Sequence, residues 1–330
     1  MPERQESANA FIGRQQLSQA AHFAAVCPHP GYEGSAYRLA PHLREFNLAP
    51  TIRRAAQAYF TEKQITWHTH ANHGLSSQVC CLNFLMPLAT RPEVLSRVVA
   101  NALEIEPPEM LEVERGPDGD PWFVGFEWIG EENYLNEGVG SSSRTRGANA
   151  TSSDAIVRFR HAGQVETLMV EWKYTEKYGA PILNKVREGA TRSSNEVRAE
   201  RYRELMFAPD GPIRVDLNLK LDDFFWEPFY QLLRQQMLAF QMEKACEAAT
   251  QCVRVLHISP AGNLRLHAVT SPALKRFGED AFAVFAKMLV HDDRFIARTI
   301  EQAFGPLIAE MPRDPWAAYL ADRYAFLATD

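Results

Sequence analysis

Hydrophobic and polar residues alternate most regularly in two neighbouring segments near the middle of the chain. Residues 154–160 and 167–174 each carry apolar side chains at every second position, most of them β-branched or aromatic, and Ala162 and Gly163 lie between them. This period of two predicts two strands, and the intervening dipeptide predicts a turn. The middle of the chain is therefore expected to form a β-hairpin.

The pairing of these strands decides which charged side chains meet. If the turn closes symmetrically, Asp154 lies opposite Glu171, whereas an odd-length loop would place Asp154 opposite Val170. Glu171 and Lys173 are two residues apart and project from one face of the strand. Opposed carboxylates about 5 Å apart repel each other unless a cation lies between them. Two carboxylates with several waters suit Mg²⁺, and the lysine could then orient or deprotonate a water or offset charge on a phosphate.

The spacing of these residues resembles a known superfamily. Asp154 followed by Glu171-Trp172-Lys173 at the end of the next strand resembles the PD-(D/E)XK, or restriction-endonuclease-like, nucleases. The segments SSDAIVRF and VEWKYTEKYG are similar to the PGN_0703-like restriction endonuclease branch, over about residues 66–265. Ser153 replaces the proline of the superfamily's name.

The resemblance implies a fold and a chemistry. The fold class would be α/β, with a central mixed sheet flanked by helices and extra helices at both ends. Residues 1–65 would form an N-terminal helical extension, 66–265 the nuclease core and 266–330 a C-terminal helical region. Asp154, Glu171 and the backbone carbonyl of Trp172 would hold Mg²⁺, with Mn²⁺ as a substitute, and Lys173 would position the attacking water. The implied substrate is DNA, with RNA left open, and the chain could act as a homodimer.

Three other interpretations stay open. Acid-x-Lys tripeptides arise by chance, although only Lys173 among the eight lysines has an acid two positions before it. The hairpin could carry an ordinary solvated face of mixed charges. The fold could serve as a catalytically inactive nucleic-acid-binding module, or as a metal-stabilised structural protein.

Basic and polar residues around the motif are candidates for contact with nucleic acid. Arg144 and Arg146 lie in a Gly/Ser-rich loop, of the kind that touches phosphates. Residues 182–206 are expected to form a loop and a basic helix capped by Ser193 or Ser194, and a strong amphipathic helix is expected from Asp222 to about Thr250. The superfamily often places polar residues from the latter beside the metal, and the corresponding residues here are Gln231, Arg234 and Gln235.

Additional polar candidates surround the same site. The resemblance also places Gln78 beside it, on a helix capped by Ser76 or Ser77. An additional acidic ligand could come from Glu104, Glu132 or Glu137.

Composition and charge set the remaining bounds. The chain has 330 residues, 46% of them hydrophobic, a net charge of −6 and five cysteines. No apolar run reaches membrane-spanning length and no secretory signal is visible, so a cytoplasmic location is expected. Zinc is disfavoured, because the candidate ligands His68, His70, His73, Cys80 and Cys81 lack a two-plus-two spacing. Residues 107–120 are expected to form a loop, residues 252–260 a strand, and residues 272–330 are expected to be helical.

Overall fold

The structure is a computed structural model that describes residues 8–138, 144–186, 188 and 191–327. Its strands are β1 (Glu109–Leu111), β2 (Glu114–Arg115), β3 (Pro121–Trp122), β4 (Val124–Trp128), β5 (Ser153–His161), β6 (Gln164–Trp172), β7 (Cys252–Ser259) and β8 (Phe295–Thr299). Its helices are α1 (Ala8–Val26), α2 (Arg53–Glu62), α3 (Ser77–Leu85), α4 (Pro92–Leu103), α5 (Ser194–Met206), α6 (Phe229–Lys244), α7 (Ala281–Met288), α8 (Ile300–Glu310) and α9 (Pro315–Arg323). Short 3₁₀ turns join several of them.

A mixed sheet forms the centre of the fold. Strands β4, β5 and β6 pair antiparallel, and β7 and β8 continue the sheet in parallel with β6. Strand β1 also pairs with β5, beyond the end of β4, while β2 and β3 form a separate two-stranded sheet. This confirms the predicted α/β class with a mixed sheet flanked by helices.

The hairpin closes in the predicted register. His161 pairs with Gln164 and Ala155 with Val170, so the next position along the ladder brings Asp154 to the level of Glu171. Both turn residues have positive φ, +48° at Ala162 and +81° at Gly163. Positive φ at two central residues matches the twist of a two-residue hairpin, and this fixes the register.

Helices cover both faces of the sheet. Ala155, Val157 and Phe159 of β5 pack in one hydrophobic cluster with residues of α2, α3, α4, α8 and α9. Ile156 of β5 and Met169 of β6 pack in a second cluster with residues of α5, α6 and α7. Alternate side chains of a strand point to opposite faces, so the hairpin contributes to both layers.

The structure corrects three expectations about the elements. The tail contains β8 as well as helices, and β8 pairs with β7 along the core sheet. The long amphipathic helix spans only Phe229–Lys244, since 3₁₀ turns lie on either side of it. Residues 107–120, expected to be a loop, include β1 and β2.

The two end segments pack on the same core as the middle of the chain. Phe11 and Leu48 from the first segment join Phe304 and Trp316 from the last in one cluster with the hairpin. Across the described ranges, each helix is too short or too polar to cross a membrane.

Candidate active site

The structure brings together the three residues of the predicted motif. Lys173 directly follows β6, and its Nζ contacts Glu171 Oε1. The other Glu171 oxygen, Oε2, accepts a hydrogen bond of 2.8 Å from Gln235 Nε2 on α6. The backbone N–H of Trp172 donates to Asp154 Oδ2 at 2.7 Å. Backbone hydrogen bonding and the paired strands therefore hold both carboxylates at the same end of the hairpin.

The two carboxylates share a desolvated environment. Burial raises the pKa of Asp154 to about 7, with Lys173 opposing the rise and Glu127 adding to it. Burial likewise raises the pKa of Glu171 to about 7, again against Lys173, and the negative charge of Asp154 adds to the rise. Two buried acids whose pKa values stay raised beside a lysine are under-compensated by the protein's own cations. A further cation would therefore stabilise their ionised forms.

Lys173 stays positively charged in this environment. Burial alone would lower its pKa, but Glu171, Tyr178 and Asp154 raise it well above its ordinary value. The side chain is only 10% exposed. A fixed ammonium group beside a carboxylate can donate hydrogen bonds and stabilise negative charge, but it cannot accept a proton.

Glu127 is a third carboxylate that sequence reasoning did not single out. The ladder between β4 and β5 pairs Phe126 with Ala155 and Trp128 with Ser153, which puts Glu127 at the level of Asp154. Its backbone has φ +51°, which interrupts the regular strand. Burial raises its pKa, hydrogen bonds from Gln78 and Ser152 oppose this rise, and the negative charge of Glu171 adds to it. No motif in the sequence marks a glutamate in this conformation.

Helix α6 carries Gln231, Arg234 and Gln235, whose role in binding nucleic acid stays a prediction. Gln235 is buried and bridges the Ser152 carbonyl, at 2.6 Å, to Glu171. Arg234 Nη1 donates to Thr151 Oγ1 at 3.2 Å, and its guanidinium lies 4.8 Å from the centre of the Tyr230 ring. Gln231 contributes a backbone N–H, which donates to Glu227.

Arg144 and Arg146 are engaged inside the protein. Arg144 donates to the carbonyls of Ile129 and Gly130 at 2.6 and 2.7 Å. Arg146 pairs with Glu114 at 3.0 Å and donates to the hydroxyl of Tyr59 at 2.7 Å. These contacts hold the loop against β4, and contact of either arginine with nucleic acid stays a prediction.

The three proposed additional acids lie in different surroundings. Glu104 ends α4, has a side chain that is 76% exposed, and pairs with Arg298. Glu132 is exposed in a loop. Glu137 is buried and accepts hydrogen bonds from the Thr151 hydroxyl, at 2.8 Å, and from Tyr202, at 2.5 Å. Of these three acids, only Glu137 contacts a residue close to Asp154 in the chain, and that residue is Thr151.

The possible ligand atoms of the site suit Mg²⁺, because they are oxygen atoms and because they are few. Asp154 and Glu171 offer hard oxygen atoms, which Mg²⁺ prefers, and this ion commonly retains several waters beside one or two carboxylates. Within the described ranges, no group of three or more His, Cys, Asp or Glu side chains is arranged to hold a metal. A bound ion would therefore rely on this pair, a backbone carbonyl and water.

Comparison with known proteins identifies the family. No curated protein and no solved structure matches the chain. The family described as "Restriction Endonuclease associating with ARP" matches residues 12–325, which is nearly the whole length. The PD-(D/E)XK motif and the PGN_0703-like branch stay predictions. The match covers most of the chain, and the chain belongs to the family described as restriction endonuclease associating with ARP.

Proposed function

We propose that the protein is a Mg²⁺-dependent endonuclease of the PD-(D/E)XK type that hydrolyses phosphodiester bonds in DNA. The observation that carries this proposal is the convergence of Asp154, Glu171 and Lys173 at one end of the hairpin. The family's description as restriction endonucleases supports DNA as the substrate.

The carboxylates and one carbonyl would bind the metal. Asp154, Glu171 and the backbone carbonyl of Trp172 would hold Mg²⁺, or Mn²⁺ in its place. When bound, the ion polarises a phosphoryl oxygen and lowers the pKa of a coordinated water. Gln235 fixes the Glu171 carboxylate through its 2.8 Å hydrogen bond, so the carboxylate is oriented before any ligand arrives.

Lys173 would stabilise negative charge in the transition state. Its ammonium group is held against Glu171 and remains protonated, because the neighbouring carboxylates raise its pKa. A protonated lysine orients a water or contacts a phosphate oxygen, and it does not remove the proton. The base for the attacking water must then come from another group.

A basic surface near the site would contact the DNA backbone. Arg198 on α5 and Arg234 on α6 lie on the same Tyr230 ring, 5.3 and 4.8 Å from its centre. Both are partly exposed, and α5 carries two further arginines, Arg201 and Arg203. Phosphate contacts from such groups provide affinity that is independent of sequence.

Cleavage of plasmid DNA tests the proposal. Purified protein is incubated with supercoiled plasmid and Mg²⁺, Mn²⁺, Ca²⁺ or a chelator, and the products are separated on a gel. We expect nicked or linear DNA with Mg²⁺ and Mn²⁺ and intact plasmid with the chelator. One chain carries one such site, so linear product at low enzyme excess would favour a homodimer. Salt-dependent binding without cleavage under every metal would overturn the proposal and favour a binding module.

A further inference from the structure

A buried carboxylate beside the candidate site holds an accessible histidine. Glu127 has a side chain that is 3% exposed, and its Oε1 lies 3.3 Å from Nε2 of His68. The imidazole of His68 is 43% exposed. One nitrogen thus faces a fixed acceptor, while the ring remains open to solvent or substrate.

The carboxylate is fixed by two further donors. Gln78 Nε2 donates to Glu127 Oε1 at 2.7 Å, and Ser152 Oγ donates to Oε2 at 3.0 Å. The same Gln78 accepts a hydrogen bond of 2.9 Å from the backbone N–H of His68. Gln78 therefore positions both members of the pair, which accounts for a buried glutamine at this point of α3.

The pair is connected to the metal-binding carboxylates. Ser152 binds Glu127 through its hydroxyl, and its carbonyl accepts from Gln235, which also donates to Glu171. Glu127 and Glu171 are thus linked through Ser152 and Gln235, and His68 lies 3.3 Å from Glu127 at the near end of this link. This arrangement places the imidazole at the rim of the same site.

We propose that His68 is the general base of the reaction and that Glu127 is its positioning residue. This inference rests on the proposed nuclease function. Nε2 faces Glu127 Oε1 at 3.3 Å, and an ionised carboxylate can only accept, so the proton belongs on Nε2 and Nδ1 carries the free electron pair. Nδ1 takes the proton of the attacking water as its oxygen bonds to phosphorus. The bond from phosphorus to the leaving oxygen breaks, and that oxygen takes a proton from solvent.

The surrounding charges favour a neutral imidazole. Burial lowers the pKa of His68, and the positive charge of Lys173 lowers it further. The negative charges of Glu171 and Glu176 raise this pKa, and His70 lowers it. Glu127 also faces the ring, at 3.3 Å. A neutral imidazole at neutral pH can accept a proton, as a general base must.

The geometry of the pair can be tested without measuring activity. In protein labelled with ¹⁵N in its histidines, NMR across pH reports the tautomer and the pKa of His68. We expect the Nε2–H tautomer and a pKa below 6.5 in the wild type, and a loss of this tautomer preference in Glu127→Gln. An Nδ1–H tautomer in the wild type, or an unchanged spectrum in Glu127→Gln, would overturn the pair.

Single-turnover cleavage tests the proton transfer. His68→Ala should cleave about a hundred-fold more slowly, since general base catalysis typically contributes 10²–10⁴-fold. Added imidazole should restore at least a tenth of the lost rate, and Glu127→Gln should shift the pH profile of the rate. His70→Ala, two residues away, is the matched control and should cleave as the wild type does.

The NMR and cleavage experiments together show which part of the proposal is wrong if one of them gives an unexpected result. Wild-type rates for His68→Ala, or no rescue by imidazole, would overturn the role as a base even if the NMR geometry holds. No cleavage by the wild type with any metal would overturn the nuclease function and the role as a base together. The NMR result would then still decide whether Glu127 orients His68.

Discussion

At the scale of single residues, the site depends on the ion pair between Lys173 and Glu171. The ammonium group contacts one Glu171 oxygen and Gln235 the other, so each oxygen has one protein partner and keeps a further lone pair for a metal. A buried carboxylate and ammonium compensate each other only in part, and the pKa of Glu171 remains raised to about 7. The motif was predictable because Lys173 is the single lysine with an acid two positions earlier. Glu127 was not, because the residues that hold its carboxylate, Gln78 and Ser152, are distant in sequence.

Lys173→Ala separates a catalytic role from metal binding. Removing the ammonium group should leave Mg²⁺ affinity unchanged or improved, because a cation beside the carboxylates is gone. The cleavage rate should fall by about a hundred- to a thousand-fold, the usual effect of losing one contact to a developing oxyanion. Lys173→Arg should restore little, because a planar guanidinium does not replace a compact ammonium. Calorimetric metal titration and single-turnover cleavage measure the two effects, and a wild-type rate in Lys173→Ala would exclude this residue from the mechanism.

Asp154→Asn should change the pH dependence of stability. The pKa of Asp154 rises from 3.8 to about 7 on folding, so the folded metal-free protein binds more protons than the unfolded chain between these values. The free energy of unfolding therefore falls as pH rises through this interval. Asp154→Asn lacks that carboxylate, so it should melt higher than the wild type at pH 8, by about 2 °C or more. At pH 3 the two proteins should melt at the same temperature. Thermal unfolding in chelator measures this, and a lower melting temperature at pH 8 would contradict the raised pKa.

At the scale of elements, the hairpin turn sets the register on which the site depends. Ala162 adopts φ +48°, which is unfavourable for a side chain with a Cβ atom, while Gly163 at +81° adopts its φ freely. The register was predictable because the turn residues and the alternation of apolar and polar residues lie within one short segment and indicate the same pairing. Strand β8 was not, because its five residues pair with β7 across a long separation in sequence.

Ala162→Gly and Gly163→Ala should have opposite effects. The first should raise the free energy of unfolding by about 0.5 kcal/mol, and the second should lower it by about 1 kcal/mol. Denaturant titration of both variants checks the sign. Equal stability would show that the turn does not hold the strained conformation.

Helix α5 should carry part of the affinity for DNA. Arg201→Gln with Arg203→Gln should weaken binding and reduce the slope of log affinity against log salt by about one for each lost phosphate contact. Arg54→Gln with Arg97→Gln changes the same charge on α2 and α4, which pack against the opposite face of the sheet. Fluorescence anisotropy over a salt series measures both pairs. A larger effect from the control pair would place the DNA on that other face.

At the scale of the whole molecule, the ends of the chain and the hairpin form one structure. Phe304 and Trp316 pack in the same cluster as Trp172, whose backbone reaches Asp154. The helical character of the ends was predictable from their composition. Their shared core was not, because it depends on contacts between residues about 300 positions apart, such as Arg323 with Gln19.

A chain that ends at residue 265 should fail to fold cooperatively. It would lack β8, which pairs with β7, and three helices, α7 on one face of the sheet and α8 and α9 on the other. Exposed apolar surface and an open sheet edge favour aggregation. Circular dichroism and limited proteolysis compare it with the full chain, and a sharp, reversible unfolding transition would show that the last segment is dispensable.

Glu171→Gln, compared with Glu166→Gln, tests the central claim most directly. Both glutamates are buried on β6, but Glu166 pairs with His161 and Arg254 at 3.0 and 3.1 Å, away from Asp154. The measurement is the single-turnover rate of DNA cleavage with Mg²⁺, on preparations shown to be folded. We predict a fall of at least about a hundred-fold for Glu171→Gln and near wild-type cleavage for Glu166→Gln. Equal rates for Glu171→Gln and the wild type would contradict a metal-dependent nuclease centre at the end of this hairpin.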